Sequence, residues 1–169
     1  MTQSRRFPLN RFFSGVILLA ATGIAFSQEA SSGPATISAR ARAIHDSAIV
    51  VDTHADTPQR FVDEGFDLGN TDPKDSGHIT LDKARAGNLG AEFFSIWVDP
   101  ETSQGHFARR TLDLIDSVYE QAARHPDRMR MAYSVSDIER AHREKKLAAL
   151  MGIEGGHSIE NDIRLLRDF

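Results

Sequence analysis

The sequence predicts an α/β fold with a parallel sheet, and two features of the chain carry this prediction. Short apolar runs without the polar alternation of half-exposed strands are separated by segments whose apolar residues recur at helical spacing. This succession is typical of βαβ units, in which catalytic side chains collect at the carboxyl ends of parallel strands. The predicted strands are residues 48–51, 91–98, 129–133 and 147–153.

Two of the helices predicted between these strands are marked by clear end signals. Thr80 and Gly87 bracket a short helix at 81–86, the first as its N-cap and the second as its stop. Apolar residues at helical spacing predict a longer helix at 107–124, which ends ahead of Pro126 because proline disfavours helix in the residue before it.

The carboxyl-terminal part of the chain contains two more helical patterns. Ser136 and Glu139 have the spacing of a capping box, which predicts a helix from there to about residue 145. A last helix is predicted to begin within 158–169. Because no strand follows to close the sheet, we expect this chain to be the front half of a larger fold.

The amino terminus is predicted to be an export signal. Arginines precede an uncharged apolar stretch at 12–26, and the small residues Ala25 and Ser27 suit a signal peptidase. The stretch has about 15 residues, fewer than the ~20 of a spanning helix, so we favour export over a membrane anchor. We expect residues 1–27 to be removed near Ser27 and the product to be periplasmic or secreted.

The paired arginines, Arg5 and Arg6, also resemble part of a twin-arginine signal, so that export route stays open. Residues 28–36 are small and polar and predict a linker, which leaves 37–169 for the folded domain. Loss of three leader arginines would reduce the 20 basic residues to 17 against 24 acidic ones, a formal charge of −7. This acidic balance argues against a nucleic-acid partner.

The first predicted strand ends in a group of ionisable side chains. Residues 50–58 read VVDTHADTP, with Asp52, His54 and Asp56 at every second position. Alternate strand side chains share one side, so we expect the three to converge as donors for a metal such as zinc. The alternative is that Asp52 caps the following turn, Asp56 caps a helix beginning at Pro58, and the imidazole bonds to nearby backbone. With no cysteine in the chain, any metal must be held by His, Asp and Glu.

The last predicted strand ends in the same manner. Within LAALMGIEGGHSIEND, residues 147–162, an apolar run stops at Glu154 and the chain turns on two glycines. A carboxylate at the end of a buried strand is costly without a partner, although a solvent-facing glutamate is the alternative. Both strand ends would face the same rim of a parallel sheet, which favours one shared site.

Here the sequence resembles a known family. DTHADTP and GIEGGHSIE resemble the two amino-terminal signatures of the membrane (renal) dipeptidase family of zinc peptidases, and GAEFFSIWV resembles that family's second strand. The resemblance covers residues 44–169 and implies the amino-terminal half of a (β/α)8 TIM-type barrel. It also implies two zinc ions, with His54 and Asp56 on one of them and Glu154 bridging both.

The resemblance further implies the chemistry of the complete protein. A hydroxide bridging the two zinc ions would attack the peptide carbonyl of a dipeptide, and Glu154 would be the catalytic residue least open to replacement. The family's other ligands, two histidines from later strands, and a substrate-binding histidine would fall beyond Phe169, so we expect this fragment to be inactive. The partners that the resemblance implies are a dipeptide substrate and, as an open possibility, a second copy of the chain in a homodimer.

Other residues near these motifs receive lesser roles. His157 belongs to the EGGH stretch but is not a ligand in the family, so we expect a local structural role. Asp52 either orients the ring of His54 or caps a turn. His78 could pack near the site. The remaining histidines are expected to be solvated: His45, His106, His125 and His142.

Two rival functions remain open. Another amidohydrolase-type barrel hydrolase would usually carry His-x-His on its first strand, and Asp56 in the second of these positions favours the dipeptidase. The chain could also belong to an exported metal-binding remnant that has lost catalysis. A metal-dependent activity on dipeptides would distinguish the enzyme from this remnant.

Overall fold

A computed structural model describes residues 36–74 and 77–169, and these residues form a four-stranded parallel sheet with helices on both faces. The predicted signal peptide, 1–27, and all of the predicted linker except Thr36 lie outside the described residues. Within the described ranges, no helix combines the length and the apolar character needed to cross a bilayer.

All four predicted strands are present, and the predicted helices at 81–86 and 107–124 have the expected bounds. The strands are β1 (Val50–Ala55), β2 (Leu89–Trp97), β3 (Met129–Met131) and β4 (Leu147–Glu154). The helices are α1 (Ala39–Ser47), α2 (Pro58–Asp63), α3 (Leu81–Ala86), α4 (Phe107–Arg124), α5 (Val135–Arg143) and α6 (Ile163–Asp168), with a 3-10 turn at Gly156–Ile159.

The strand order is β1-β2-β4-β3, so β3 lies at the edge and β4 pairs with β2. The chain therefore moves outward from β1 through β2 to β3 and then returns by one position to β4. Because crossovers between parallel strands are right-handed, the returning connection, α5, is expected on the opposite face from the helices of the outward connections.

The two buried clusters agree with this topology. One face of the sheet, here called the large-residue face, carries Phe94 and Ile96 of β2 and packs against residues of α2, α3 and α4 such as Leu114. The other face carries Ala91 of β2 and Ala148 of β4 under α5, and is here called the alanine face. Small side chains let α5 approach closely, while the large ones supply most of the buried apolar area.

The start of α5 differs from the sequence prediction. Its N-cap is Ser134, whose hydroxyl accepts a hydrogen bond from the N–H of Asp137 at 3.2 Å. The predicted cap at Ser136 is wrong, because the Asp137 carboxylate closes the turn from the other side by accepting from the N–H of Tyr133 at 3.1 Å. The helix is therefore capped at the Ser-x-x-Asp pattern and not at the Ser-x-x-Glu pattern two residues later.

His125 also departs from its predicted role as a solvated residue. Its Nε2 lies 2.6 Å from Oδ1 of Asp67, and Arg124 bonds to the other carboxylate oxygen at 2.9 Å. Burial alone would raise the pKa of Asp67, but hydrogen bonds from Arg124, the Gly69 N–H and His125 hold it below its usual range. This contact fastens the segment after α2 to the end of α4.

Candidate metal centre

The carboxyl ends of β1 and β4 bring His54, Asp56 and Glu154 together. Nε2 of His54 lies 3.2 Å from Oδ1 of Asp56 and 3.3 Å from Oε2 of Glu154. One donor atom from each of the three residues lies within 4.8 Å of the other two. These are the three side chains that the family resemblance implies as metal ligands, whereas the strand pattern alone had also included Asp52.

The strand between β1 and β4 makes this meeting possible. Neighbouring strands are ~4.8 Å apart, so two strands on either side of β2 are separated by about 10 Å, which only long side chains can bridge. β2 places the small residue Ser95 in the gap, and its hydroxyl donates to Oε2 of Glu154 at 3.0 Å. By alternation along β4, Glu154 lies on the alanine face.

A β-bulge in β1 separates Asp52 from this group. Asp52 pairs with Glu92 and Ala55 pairs with Phe94, so three steps along β1 match two along β2. Strict alternation, on which the predicted convergence of all three polar residues depended, does not hold here. Oδ1 of Asp52 instead accepts a hydrogen bond from the main-chain N–H of His54 at 3.1 Å, as in a turn cap.

The alternative role of Asp56 as a helix cap is not observed. α2 begins at Pro58 with Thr57 at the N-cap, and the Thr57 side chain makes no capping hydrogen bond, while Asp56 Oδ1 lies 3.2 Å from Nε2 of His54. Proline at the first helical position already lacks the N–H that a cap would satisfy. The carboxylate of Asp56 is therefore left to face the imidazole of His54.

His157 has the structural role that the sequence predicted. Its Nε2 makes a hydrogen bond of 2.7 Å to the carbonyl of Val98, and its ring packs edge-on against Phe107. The ring lies over Gly155, where a Cβ atom would come within 2.3 Å of it, and Gly155 has a φ of 95°. Glycine is needed at this position both for the backbone conformation and for the space under the imidazole.

Glu92 is a feature of the site region that sequence reasoning missed. Its side chain is fully buried on the large-residue face, and among the described residues neither carboxylate oxygen has a hydrogen-bond partner. Burial, assisted by the negative charge of Asp52, raises the pKa of Glu92 to about 8. The available signal was a single glutamate inside the apolar run GAEFFSIWV.

A cavity of about 370 Å³ opens beside the group, lined by His54 and Asp56 together with Asp52, Arg60 and His78. His78 thus lies near the site, as predicted. The side chains of His54, Asp56 and Glu154 are 54%, 67% and 50% exposed, so an incoming ion or ligand can reach them.

One imidazole nitrogen and two carboxylates form a donor set that suits Zn²⁺. A divalent cation bound between the two carboxylates would offset their mutual repulsion. The donor chemistry and the accessible position at a strand-end rim therefore fit a divalent metal, with room for ligands from other parts of a larger fold.

Comparison with known proteins identifies relatives of this chain. The sequence profile of the family described as membrane dipeptidase (peptidase family M19) matches residues 38–169. Dipeptidase 3 from Homo sapiens is 32% identical over 136 residues, which cover 77% of this chain and 26% of that protein. The chain spans about a quarter of the length of the curated relatives it matches.

Solved structures share the fold. The probable dipeptidase PvdM from Pseudomonas aeruginosa aligns with a TM-score of 0.65 at 21% identity, over 76% of this chain and 34% of that one. A metallo peptidase from Rhodobacter sphaeroides, liganded with a phosphinate mimic of the dipeptide L-Ala-D-Ala, aligns with a TM-score of 0.57 at 16% identity, over 71% and 42%. These likenesses confirm the predicted class, the parallel α/β part of a TIM-type barrel.

Proposed function

Since this chain belongs to the membrane dipeptidase family, peptidase family M19, we propose that the whole protein is a zinc-dependent dipeptidase. The observation that carries the proposal is the grouping of His54, Asp56 and Glu154 within 4.8 Å at the carboxyl ends of two parallel strands. Chemistry in α/β sheets of this type occurs at that end.

In the proposed site, His54 and Asp56 would hold one zinc ion, and Glu154 would be shared between that ion and a second. Zinc, when bound, supplies an activated water and polarises the peptide carbonyl. The remaining ligands would come from other parts of the whole protein, since three side chains fall short of two complete zinc sites.

The neighbours of the proposed ligands hold them in position. The hydroxyl of Ser95 orients the carboxylate of Glu154, and Asp52 holds the main chain at His54 across the bulge. Such indirect contacts restrict the rotamers of metal ligands and so favour the bound geometry. The exposed side of the group faces solvent, which leaves access for a small substrate such as a dipeptide.

The test is hydrolysis of a dipeptide by the whole gene product. We expect activity that a chelator removes and zinc restores. Glu154→Gln should reduce kcat/KM by more than ~100-fold, since changes to residues that merely support a ligand already cost 10–100-fold. Glu101→Gln, an exposed glutamate in the loop after β2, is the matched control and should retain activity.

Different results would favour the rival functions. Zinc binding without dipeptide hydrolysis would support an exported metal-binding remnant. Hydrolysis of another amide or of a lactone in preference to dipeptides would support a different amidohydrolase-type enzyme. Full dipeptidase activity in Glu154→Gln would contradict the assignment of the bridging ligand.

We also propose that the protein is exported and that residues 1–27 are cleaved. Fractionation of cells, with mass spectrometry of the mature amino terminus, tests this directly. A mature product that begins at Met1 in the cytoplasmic fraction would contradict it. Light scattering on the same preparation tests whether the protein forms a homodimer.

A further inference from the structure

A second cavity, of about 270 Å³, lies at the amino end of the sheet. It is formed by α3, the carboxyl end of α5 and the first residues of β2 and β4, including Leu89 and Leu147. The eight residues of β4 rise ~3.3 Å each, so this cavity is more than ~20 Å from Glu154 at the other end of the strand. It is therefore separate from the metal centre.

The lining of this cavity is strongly basic, although the chain as a whole carries a formal charge of −4. Its charged and titratable members are Arg85, Arg128, Lys145, Lys146 and His142, against the single acid Asp46.

Acidic partners neutralise only some of these cations. Arg128 bonds to Asp82, and Lys146 lies 3.3 Å from Glu144. Arg85 and Lys145 have no acidic partner among the residues that the structure describes.

The carboxyl ends of α3 and α5 account for only part of the positive charge around the cavity. Cations near the last turn of a helix offset its unpaired carbonyls, and Nη1 of Arg85 does donate to the carbonyl of Lys145 at 3.0 Å. That single bond leaves the other N–H groups of the guanidinium and the whole ammonium of Lys145 unused. Arg85 and Lys145 thus present positive charge beyond what the ends of α3 and α5 require.

The backbone at Lys145 supports a role for its side chain. Lys145 follows the C-cap of α5 with a φ of 57°, the left-handed conformation that glycine adopts at this position without a steric penalty. A lysine here accepts that penalty, and it makes no ion pair with the described residues that would compensate for it. We therefore expect a ligand bound in the cavity to interact with the Lys145 side chain and compensate for this backbone penalty.

We propose that this cavity binds a small phosphate-bearing anion, held between the guanidinium of Arg85 and the ammonium group of Lys145. The planar fork of arginine matches the oxygens of a phosphate, and lysine adds point charge around it. The volume is at the small end for ligand sites, which favours a phosphate with at most a short organic group. The ligand is either a free phosphate compound or the headgroup of an anionic lipid.

The test is calorimetric titration of the whole, metal-loaded protein with inorganic phosphate. Lys145→Gly and Arg85→Gln should each weaken phosphate binding about tenfold, the value of a charge-assisted contact. Arg109→Gln removes an 81% exposed arginine on α4 and serves as the control with unchanged affinity. Phosphate bound at the metal centre would respond to Glu154→Gln and not to Lys145→Gly.

Unfolding should not be the cause of weaker phosphate binding in Lys145→Gly. Glycine adopts the left-handed conformation without a steric penalty, so this variant should have a slightly higher melting temperature. Lys145→Asn, which tolerates the same backbone, repeats the test. Binding to phosphatidylglycerol vesicles without binding to free phosphate assigns a lipid headgroup, with phosphatidylcholine vesicles as the control. Absence of both, or equal affinity in wild type and both charge variants, overturns the proposal.

Discussion

The two faces of the sheet have different roles in the molecule. On the large-residue face, Phe94 and Ile96 are fully buried against α2, α3 and α4. On the alanine face, Ala91 and Ala148 accommodate α5 at one end, and Glu154 meets His54 at the other. The first face therefore supplies stability and the second supplies space and ligands. Substitutions on the two faces should separate these properties.

Phe94→Ala should produce the largest effect and tests the stabilising face. Removal of a fully buried aromatic side chain leaves a cavity and should lower the free energy of unfolding by about 3–5 kcal/mol. Denaturant unfolding of the whole protein measures it. Leu112→Ala, at a 53% exposed position on α4, is the control and should change little. A loss of zinc affinity without a loss of stability would contradict the division between the faces.

Glu92→Gln should have the next largest effect on the free energy of unfolding, and the size of this effect should depend on pH. Glu92 has its pKa raised from 4.5 to about 8, so as pH rises the unfolded chain loses this proton first. The stability that the neutral acid contributes is complete below pH 4.5 and is lost as pH rises to about 8.

Glutamine cannot ionise. The free energy of unfolding of the variant should therefore rise relative to that of wild type by about 1.4 kcal/mol per pH unit across that interval, reaching a difference of about 3 kcal/mol at pH 7. Unfolding curves of both proteins between pH 4 and pH 9 measure the difference. Glu101→Gln should show no such trend. A difference that stays constant with pH would mean that Glu92 is ionised in the folded protein.

Ser95→Ala tests the ligand-bearing face and should affect metal more than stability. It removes the donor to Oε2 of Glu154, and loss of one supporting hydrogen bond should weaken zinc binding about tenfold. Ser117→Ala is a matched control, because that buried hydroxyl bonds to the carbonyl of Leu114 in its own helix and to no other described residue. Competition titration against a zinc chelator measures both variants, and equal losses would contradict the prediction.

Ser134→Ala should give the smallest of these effects. Loss of the N-cap of α5 should cost about 1 kcal/mol, with zinc affinity unchanged because α5 covers only the amino end of the alanine face. Ser136→Ala, at the position that the sequence favoured, is the internal control and should be close to neutral. The opposite ranking in thermal melts would restore the original capping prediction.

Most of the candidate site was predictable because its signals are local. His54 and Asp56 lie at the end of one strand and Glu154 ends another, and parallel strands present such residues at a common rim. Ser95 and Glu92 were not predictable in the same way. A serine or a glutamate within a strand carries no local mark of the side chain that it will meet, or of its burial by helices distant in sequence.

The sequence by itself determined which segments became strands and helices, because apolar periodicity and helix-end residues act over a few positions. Only the tertiary structure decided the order β1-β2-β4-β3, the bulge between Asp52 and the metal group, and the burial of Glu92. Each of these depends on pairing between distant strands, and the same local patterns are compatible with more than one pairing. The free energy of packing both faces of the sheet selects among them.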